Sequence, residues 1–195
     1  MSMVKALVIV AHPDDEAIWM SGKIMRHKDW EWTIVSLCRK DDLDRKPKFF
    51  SACSYLNARG FISDLDDEDP DKNLPSLSEI INRLEPIVLD KCFDVVFTNG
   101  PNGEYGHKRH IEINRAVVLM TEHGLLDCKS LYEFSYLGRA KPAKCVPDSS
   151  ADEIFILNED EMKRKKYLIN KVYCFNTESF EFLSCSEKET FNKVF

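Results

Sequence analysis

The sequence predicts an α/β protein, a three-layer sandwich in which helices cover both faces of a mainly parallel sheet. Three observations predict it. Residues 4–10 form a nearly unbroken apolar run, the pattern of a strand buried on both faces. Strand-like and helix-like segments then alternate, as they do when helices carry the chain between parallel strands. The 195 residues are enough for one full hydrophobic core, so a single domain over residues 1–195 is expected.

The elements follow in order. Residues 14–26 read as a helix: the acidic start suits the positive helix N-terminus, and Ile18, Gly22 and Met25 share a face. Residues 32–37 read as a second strand. Residues 44–58 read as a helix with Phe49, Phe50, Cys53 and Leu56 inward, and residues 61–65 as a short strand. The acidic stretch 64–71 reads as a loop ending near Pro75. Residues 76–90 read as a helix with a Ser76 cap and Glu79 at the capping-box position, bent or broken at Pro86. Residues 94–98 read as a strand. The segment 99–106, with three glycines and one proline, reads as loop. Residues 107–123 read as a helix with Ile111, Val117, Val118 and Met120 apolar. Residues 131–137 and 153–157 read as strands, 160–173 as a basic helix, and 139–150 as a surface loop.

Composition narrows the function. Lys and Arg total 27 against 33 Asp and Glu, a formal charge of −6, so no nucleic-acid partner is expected. The basic run Lys163 to Lys166 follows Glu159, Asp160 and Glu161 and reads as a solvated helix face. The longest apolar run, residues 6–11, falls far short of the ~20 residues of a membrane helix, and no signal-peptide core is seen. The seven cysteines include no CxxC pair, so neither a disulfide framework nor a zinc finger fits. They read as reduced, mostly buried thiols of a cytoplasmic protein. Neither GxGxxG nor GxxxxGK[ST] occurs, so no phosphate cradle is predicted. Trp30, Phe191 and Phe195 suit either core or interface, and the pattern sets no oligomeric state.

Ligands of such sheets bind beyond the carboxyl ends of the strands. Two loops lie there, 11–16 and 99–110, and they hold His12, Asp14, Asp15, Glu16, His107 and His110. Two imidazoles and one carboxylate can fill three positions of a zinc site, with the fourth open to water. His12, one of Asp14 and Asp15, and His107 or His110 supply those parts. A second carboxylate free of metal can act as general base. The i, i+3 spacing of His107 and His110 lets both face one side of a helix start. The same acids also suit a helix N-cap and first turn, and His12 also suits an ordinary loop histidine, so spacing alone leaves both uses open. His27 and His123 sit near helix ends and read as caps or exposed residues.

The string Ala11-His12-Pro13-Asp14-Asp15-Glu16 resembles the first motif of the PIG-L/LmbE family of metal-dependent N-acetyl deacetylases. Tyr105-Gly106-His107-Lys108-Arg109-His110 resembles its second. Arg45, Ala52 and Leu56, and the segment 163–173, resemble two of its helices. The resemblance implies a Rossmann-like fold and a Zn2+ ion, with Fe2+ tolerated, bound by His12, Asp15 and His110. It implies Asp14 as general base and His107 as the oxyanion-stabilising group, in cationic form. It implies Tyr105 in oxyanion stabilisation or proton donation, and Arg45 in substrate contact. Glu16 matches the motif without assigned chemistry and reads as structural. The implied substrate is an N-acetylglucosamine-type amino sugar in a glycan, glycolipid or glycoside. The alternative is a catalytically impaired metal- or sugar-binding module of the same fold. Two departures stand out. Lys108-Arg109 replaces the Pro-Asp of many members, with Glu104 a candidate compensating acid for His107. Arg39-Lys40-Asp41-Asp42 replaces a glycine-rich turn at the pocket rim.

Overall fold

The computed structural model describes residues 3–69, 72–74 and 76–195. In chain order the elements are β1 (Lys5–Val10), α1 (Asp15–Arg26), β2 (Glu31–Cys38), α2 (Arg45–Tyr55), β3 (Ala58–Leu65), α3 (Ser78–Val88), β4 (Cys92–Phe93), β5 (Val95–Thr98), the single distorted turn α4 (Gly103–Gly106) and α5 (Lys108–Glu122). There follow β6 (Asp127–Cys128), β7 (Leu131–Phe134), β8 (Tyr136–Arg139), β9 (Lys144–Pro147), β10 (Glu153–Ile156), α6 (Glu159–Tyr167), α7 (Phe180–Ser184) and β11 (Lys188–Lys193).

The main sheet has seven strands in the order β10-β11-β7-β5-β1-β2-β3. Its pairings from β3 to β7 are parallel, and β11 joins β7 and β10 antiparallel. Strand β1 is central and shows why its run is unbroken. Ala6, Val8 and Val10 pack on one face with Ile18 of α1 and Phe49 of α2, while Leu7, Ile9 and Ala11 pack on the other with Leu84 of α3 and Val117 of α5. The fold is the expected three-layer α/β sandwich with a mainly parallel sheet. From β1 the chain steps outward through β2 and β3, then returns to the opposite side of β1 as β5. The carboxyl ends of β1 and β5 therefore flank the crevice where this topology reverses.

Several elements differ from expectation. Helix α2 stops at Tyr55 because Asn57 turns the chain with φ 55, a left-handed conformation asparagine tolerates, and β3 starts at Ala58. Ser76 Oγ accepts the Ser78 amide at 3.2 Å, but the reciprocal capping box with Glu79 does not form. The helix begins at Ser78 after Leu77, and the Glu79 carboxylate accepts from Arg83 instead. Pro86 does not break α3, because it falls in the last turn, where only one helix bond is lost. Pro75 lies outside the described residues.

The expected strand 131–137 divides at Ser135, whose N–H and carbonyl both pair with Thr190. Its second half, β8, forms a hairpin with β9, so the presumed surface loop 139–150 is partly strand. Strand β11 escaped prediction because KETFNK reads as surface. Its Glu189 is fully buried, accepting from the Gly22 and Lys23 amides and from Lys165 Nζ at 2.6 Å. Lys165 is thus no part of a solvated face; Lys163 and Lys166 are exposed. Phe191 lies in the core, whereas Phe195 is exposed. Helix α6 is capped by a reciprocal Asn158–Glu161 box and continues into a π-turn over Leu168–Val172. Four of the seven cysteines are buried, and all seven are free thiols.

Candidate metal centre and active site

The loop after β1 is anchored first. Ala11 donates to Asn99 Oδ1 at 3.1 Å, and its carbonyl accepts the Cys38 amide at 2.9 Å, which ties together the ends of β1, β2 and β5. Asp14 then takes φ 113, a conformation that costs an L-residue on the order of 1–3 kcal/mol. Its carbonyl starts α1 by accepting from Ala17 and Ile18, but its carboxylate caps nothing. The carboxylate instead turns into the cleft and pairs with Arg45, which also donates to the Pro13 carbonyl at 3.3 Å. Helix-cap use is therefore not what Asp14 does.

Three donor atoms converge beside it. His12 Nδ1 and His110 Nε2 are 3.1 Å apart, His110 Nε2 and Asp15 Oδ2 are 3.4 Å apart, and His12 Nδ1 and Asp15 Oδ2 are 3.7 Å apart. A tetrahedral ion with bonds of about 2.0–2.2 Å needs donor separations of roughly 3.3–3.6 Å. The residues fit a zinc or ferrous ion in chemistry and in spacing.

Each donor group is held from its far side. His12 Nε2 meets Asp67 Oδ2 at 2.9 Å, His110 Nδ1 meets Glu104, and Trp19 Nε1 donates to Asp15 Oδ1 at 2.9 Å. Metal-binding histidines are ordinarily oriented by this sort of outer carboxylate. Electrostatics follow the packing. Burial alone would lower the His12 pKa, but its hydrogen bonds to the Asp15 and Asp67 carboxylates overcome it and raise it to about 10. Burial likewise opposes ionisation of Asp67, and its bond to His12 holds it at about 2. Burial pushes the Asp14 carboxyl well up, against the pull of Arg45.

His107 is the residue preceding α5, and its ring lies 4.8 Å from those of both His12 and His110. Burial, then the His110 and His12 charges, pushes it down to about 4. Lys108 and Arg109 are not the cause. Arg109 turns away to Glu112 Oε2 at 2.6 Å and the Lys72 carbonyl at 2.9 Å, and Lys108 lines a separate groove beside Leu74. Glu104 does not compensate at His107 either; its partner is His110. The acid nearest His107 is Asp67, with 3.9 Å between Nε2 and Oδ1.

Tyr105 stands over the cleft, half exposed, its ring 4.7 Å from Phe180 and 5.7 Å from His107. It rests on Gly138, where a Cβ would come within 2.8 Å of the Tyr105 Cα. Glu16 faces inward, accepting from the Tyr173 hydroxyl at 2.6 Å and the Asp14 amide at 3.1 Å. The cleft has a volume of about 280 Å³, and His12, Asp14, Asp15, Arg45, Tyr105 and His107 all line it; His110 is fully buried behind it. All seven sequence-predicted site residues therefore gather here. Sequence reasoning missed Asp67, one of many acids in its loop, and the partnership of Glu104 with His110. Trp19 was within reach, because it stands one helical turn after Asp15.

Fold and site together define an α/β protein with a polar cleft at the strand crossover, lined by residues that could hold a metal ion. Residues 7–121 match the family described as PIG-L, GlcNAc-PI de-N-acetylase, and the chain belongs to that family. It is 27% identical over 161 residues to the 1D-myo-inositol 2-acetamido-2-deoxy-alpha-D-glucopyranoside deacetylase of Corynebacterium diphtheriae, covering 61% of this chain and 53% of that protein. The chain spans about half the length of the curated relatives it matches. The N,N'-diacetylchitobiose deacetylase of Pyrococcus horikoshii shares the fold with a TM-score of 0.66 at 20% identity, covering 97% of this chain and 83% of that one. The 4-carboxy-2-hydroxymuconate hydratase of Pseudomonas putida shares it with a TM-score of 0.68 at 14% identity, covering 99% and 97%. A hydratase on this frame shows that the fold does not dictate the chemistry. Among the described residues, no helix is long and apolar enough to cross a membrane.

Proposed function

We propose that this chain is a metal-dependent N-deacetylase that hydrolyses the acetamide of an N-acetylglucosamine-type amino sugar. The observation that carries the reading is the triangle of His12, Asp15 and His110 donor atoms with the Asp14 carboxylate facing the same cleft. The named activities of the corynebacterial and Pyrococcus relatives support it.

His12, Asp15 and His110 would hold the ion, zinc or ferrous iron. When bound, such an ion supplies Lewis-acid polarisation of the acetyl carbonyl and a lowered pKa for the attacking water. Asp14 takes a proton from that water and returns one to the leaving nitrogen, while Arg45 fixes its carboxylate. His107 and Tyr105 flank the carbonyl oxygen and donate to it as it becomes negative. Water adds across the C–N bond, giving acetate and a primary amine. Pockets for small molecules commonly span about 300–1,000 Å³. This cleft sits at the low end and suits one sugar ring, with the aglycone outside it.

The test is acetate release from a panel of N-acetylated amino sugars, glycosides and glycolipids. The metal-loaded protein releases acetate, and a chelator stops release until metal is restored. Release that survives complete metal removal contradicts the reading.

A further inference from the structure

We propose a second metal site, formed by Cys38, Asp67 and the outer nitrogen of His12, that takes thiophilic divalent ions and competes with the cleft for the His12 ring. A nitrogen of His12, the Cys38 sulfur and an Asp67 oxygen lie within 4.8 Å of one another. One thiol, one imidazole and one carboxylate make a zinc-type set, and the sulfur biases it toward softer ions. Cys38 closes β2 and is fully buried, and Asp67 is 8% exposed. A second observation points the same way. Asp67 Oδ1 is buried without a hydrogen-bond partner, and a buried acceptor left unpaired calls for an explanation such as an ion.

An ion at either set displaces one proton from the His12 ring, and the neutral ring has a single lone pair, so it serves one set at a time. With the proton on Nε2 it donates to Asp67 at 2.9 Å and turns the Nδ1 lone pair to Asp15 and His110. With the proton on Nδ1 it donates to His110 Nε2 at 3.1 Å, and the Nε2 lone pair faces Asp67. The second arrangement withdraws His12 from the cleft ion. Burial, then the nearby Asp67 carboxylate, holds the Cys38 thiol well above its ordinary pKa, so only an ion with strong affinity for sulfur displaces its proton. The Cys38 thiol passes one proton to the buffer as the sulfur coordinates. Arg39, which pairs with Asp67 at 2.8 Å, is 43% exposed in its side chain and can move into water. The structure thus assigns an inhibitory role to thiophilic ions at the wall of the cleft. This assignment rests on ligand chemistry and does not depend on which reaction the cleft performs.

The experiment uses cadmium on the metal-stripped full chain, with exposed Cys92 and Cys174 replaced by serine. The readout is the cadmium–thiolate charge-transfer absorption. It appears with the first equivalent, and it is lost in both Cys38→Ser and Cys38→Ala. Cadmium also weakens subsequent zinc binding at least tenfold in the Cys38 protein and not in either variant. An absent band, a band that persists in both variants, or zinc affinity that cadmium leaves unchanged overturns the proposal. Because none of these readouts needs turnover, a chain inactive on every acetamide still answers the question.

Discussion

Nδ1 of His12 stands 3.1 Å from Nε2 of His110, although 98 positions separate the two residues in the chain. Two ring nitrogens approach this closely when a hydrogen bond or a shared ion joins them. The outer nitrogen of each ring is on a carboxylate, Asp67 for His12 and Glu104 for His110. Glu104→Gln should keep the fold and weaken zinc binding by about 10–100-fold, the usual effect of losing an outer partner. Asp15→Ala and His110→Ala should weaken it more. Competitive titration against a chromophoric chelator measures all three.

Arg45 is the direct partner of the Asp14 carboxylate and also holds the Pro13 carbonyl. Bonds to charged groups contribute about 1.5–3 kcal/mol. Arg45→Ala should therefore lower kcat/KM for acetate release by roughly 10–100-fold, with zinc affinity unchanged. Arg45→Lys should recover only part, because the ammonium on its shorter stem does not bring a nitrogen to the place from which Arg45 Nη1 reaches both Asp14 and the Pro13 carbonyl. Steady-state kinetics on metal-loaded protein decides it.

Lys165 and Glu189 are both fully buried and pair at 2.6 Å between α6 and β11. Removing one member strands a charge in the core. Lys165→Met should cost about 3–5 kcal/mol, read as a shifted urea midpoint, and the double variant Lys165→Met/Glu189→Gln should regain part of the loss.

Glu161 on α6 bonds Arg26 of α1, with 2.7 Å between Oε1 and Nε. Arg26 holds the Glu161 pKa below its ordinary 4.5. A carboxylate depressed in the folded state contributes stability above its unfolded pKa, and that contribution fades as pH falls through the folded value. The Tm gap between wild type and Glu161→Gln should thus be present at neutral pH and shrink as the pH falls below the ordinary 4.5 toward the depressed folded value. The pair is partly solvated, so the gap corresponds to about 1 kcal/mol or less.

The first half of the fold was legible because its signals are local. The run ending at Val10 is apolar on both faces, and α1 and α5 carry apolar residues at helical spacing. Likewise, the candidate donor residues could be drawn up from two short motifs. What escaped depends on distant partners. Glu189 reads as surface until Lys165 and two α1 amides neutralise it. Residues 131–137 read as one strand because nothing local marks the break at Ser135; Thr190 supplies it from 55 residues away. Asp67 looks like its acidic neighbours, and only the fold places it against His12.

In the proposed function Asp14 does proton-transfer chemistry in a site whose metal would be held by other residues. The most direct test is acetate release by wild type and Asp14→Asn, with metal content measured on the same samples. Equal metal content and a fall of about 10²–10⁴-fold in kcat are expected for the variant. Equal acetate release from the two metal-loaded proteins, or none from wild type on any acetamide, would contradict it and leave a binding module on the same frame.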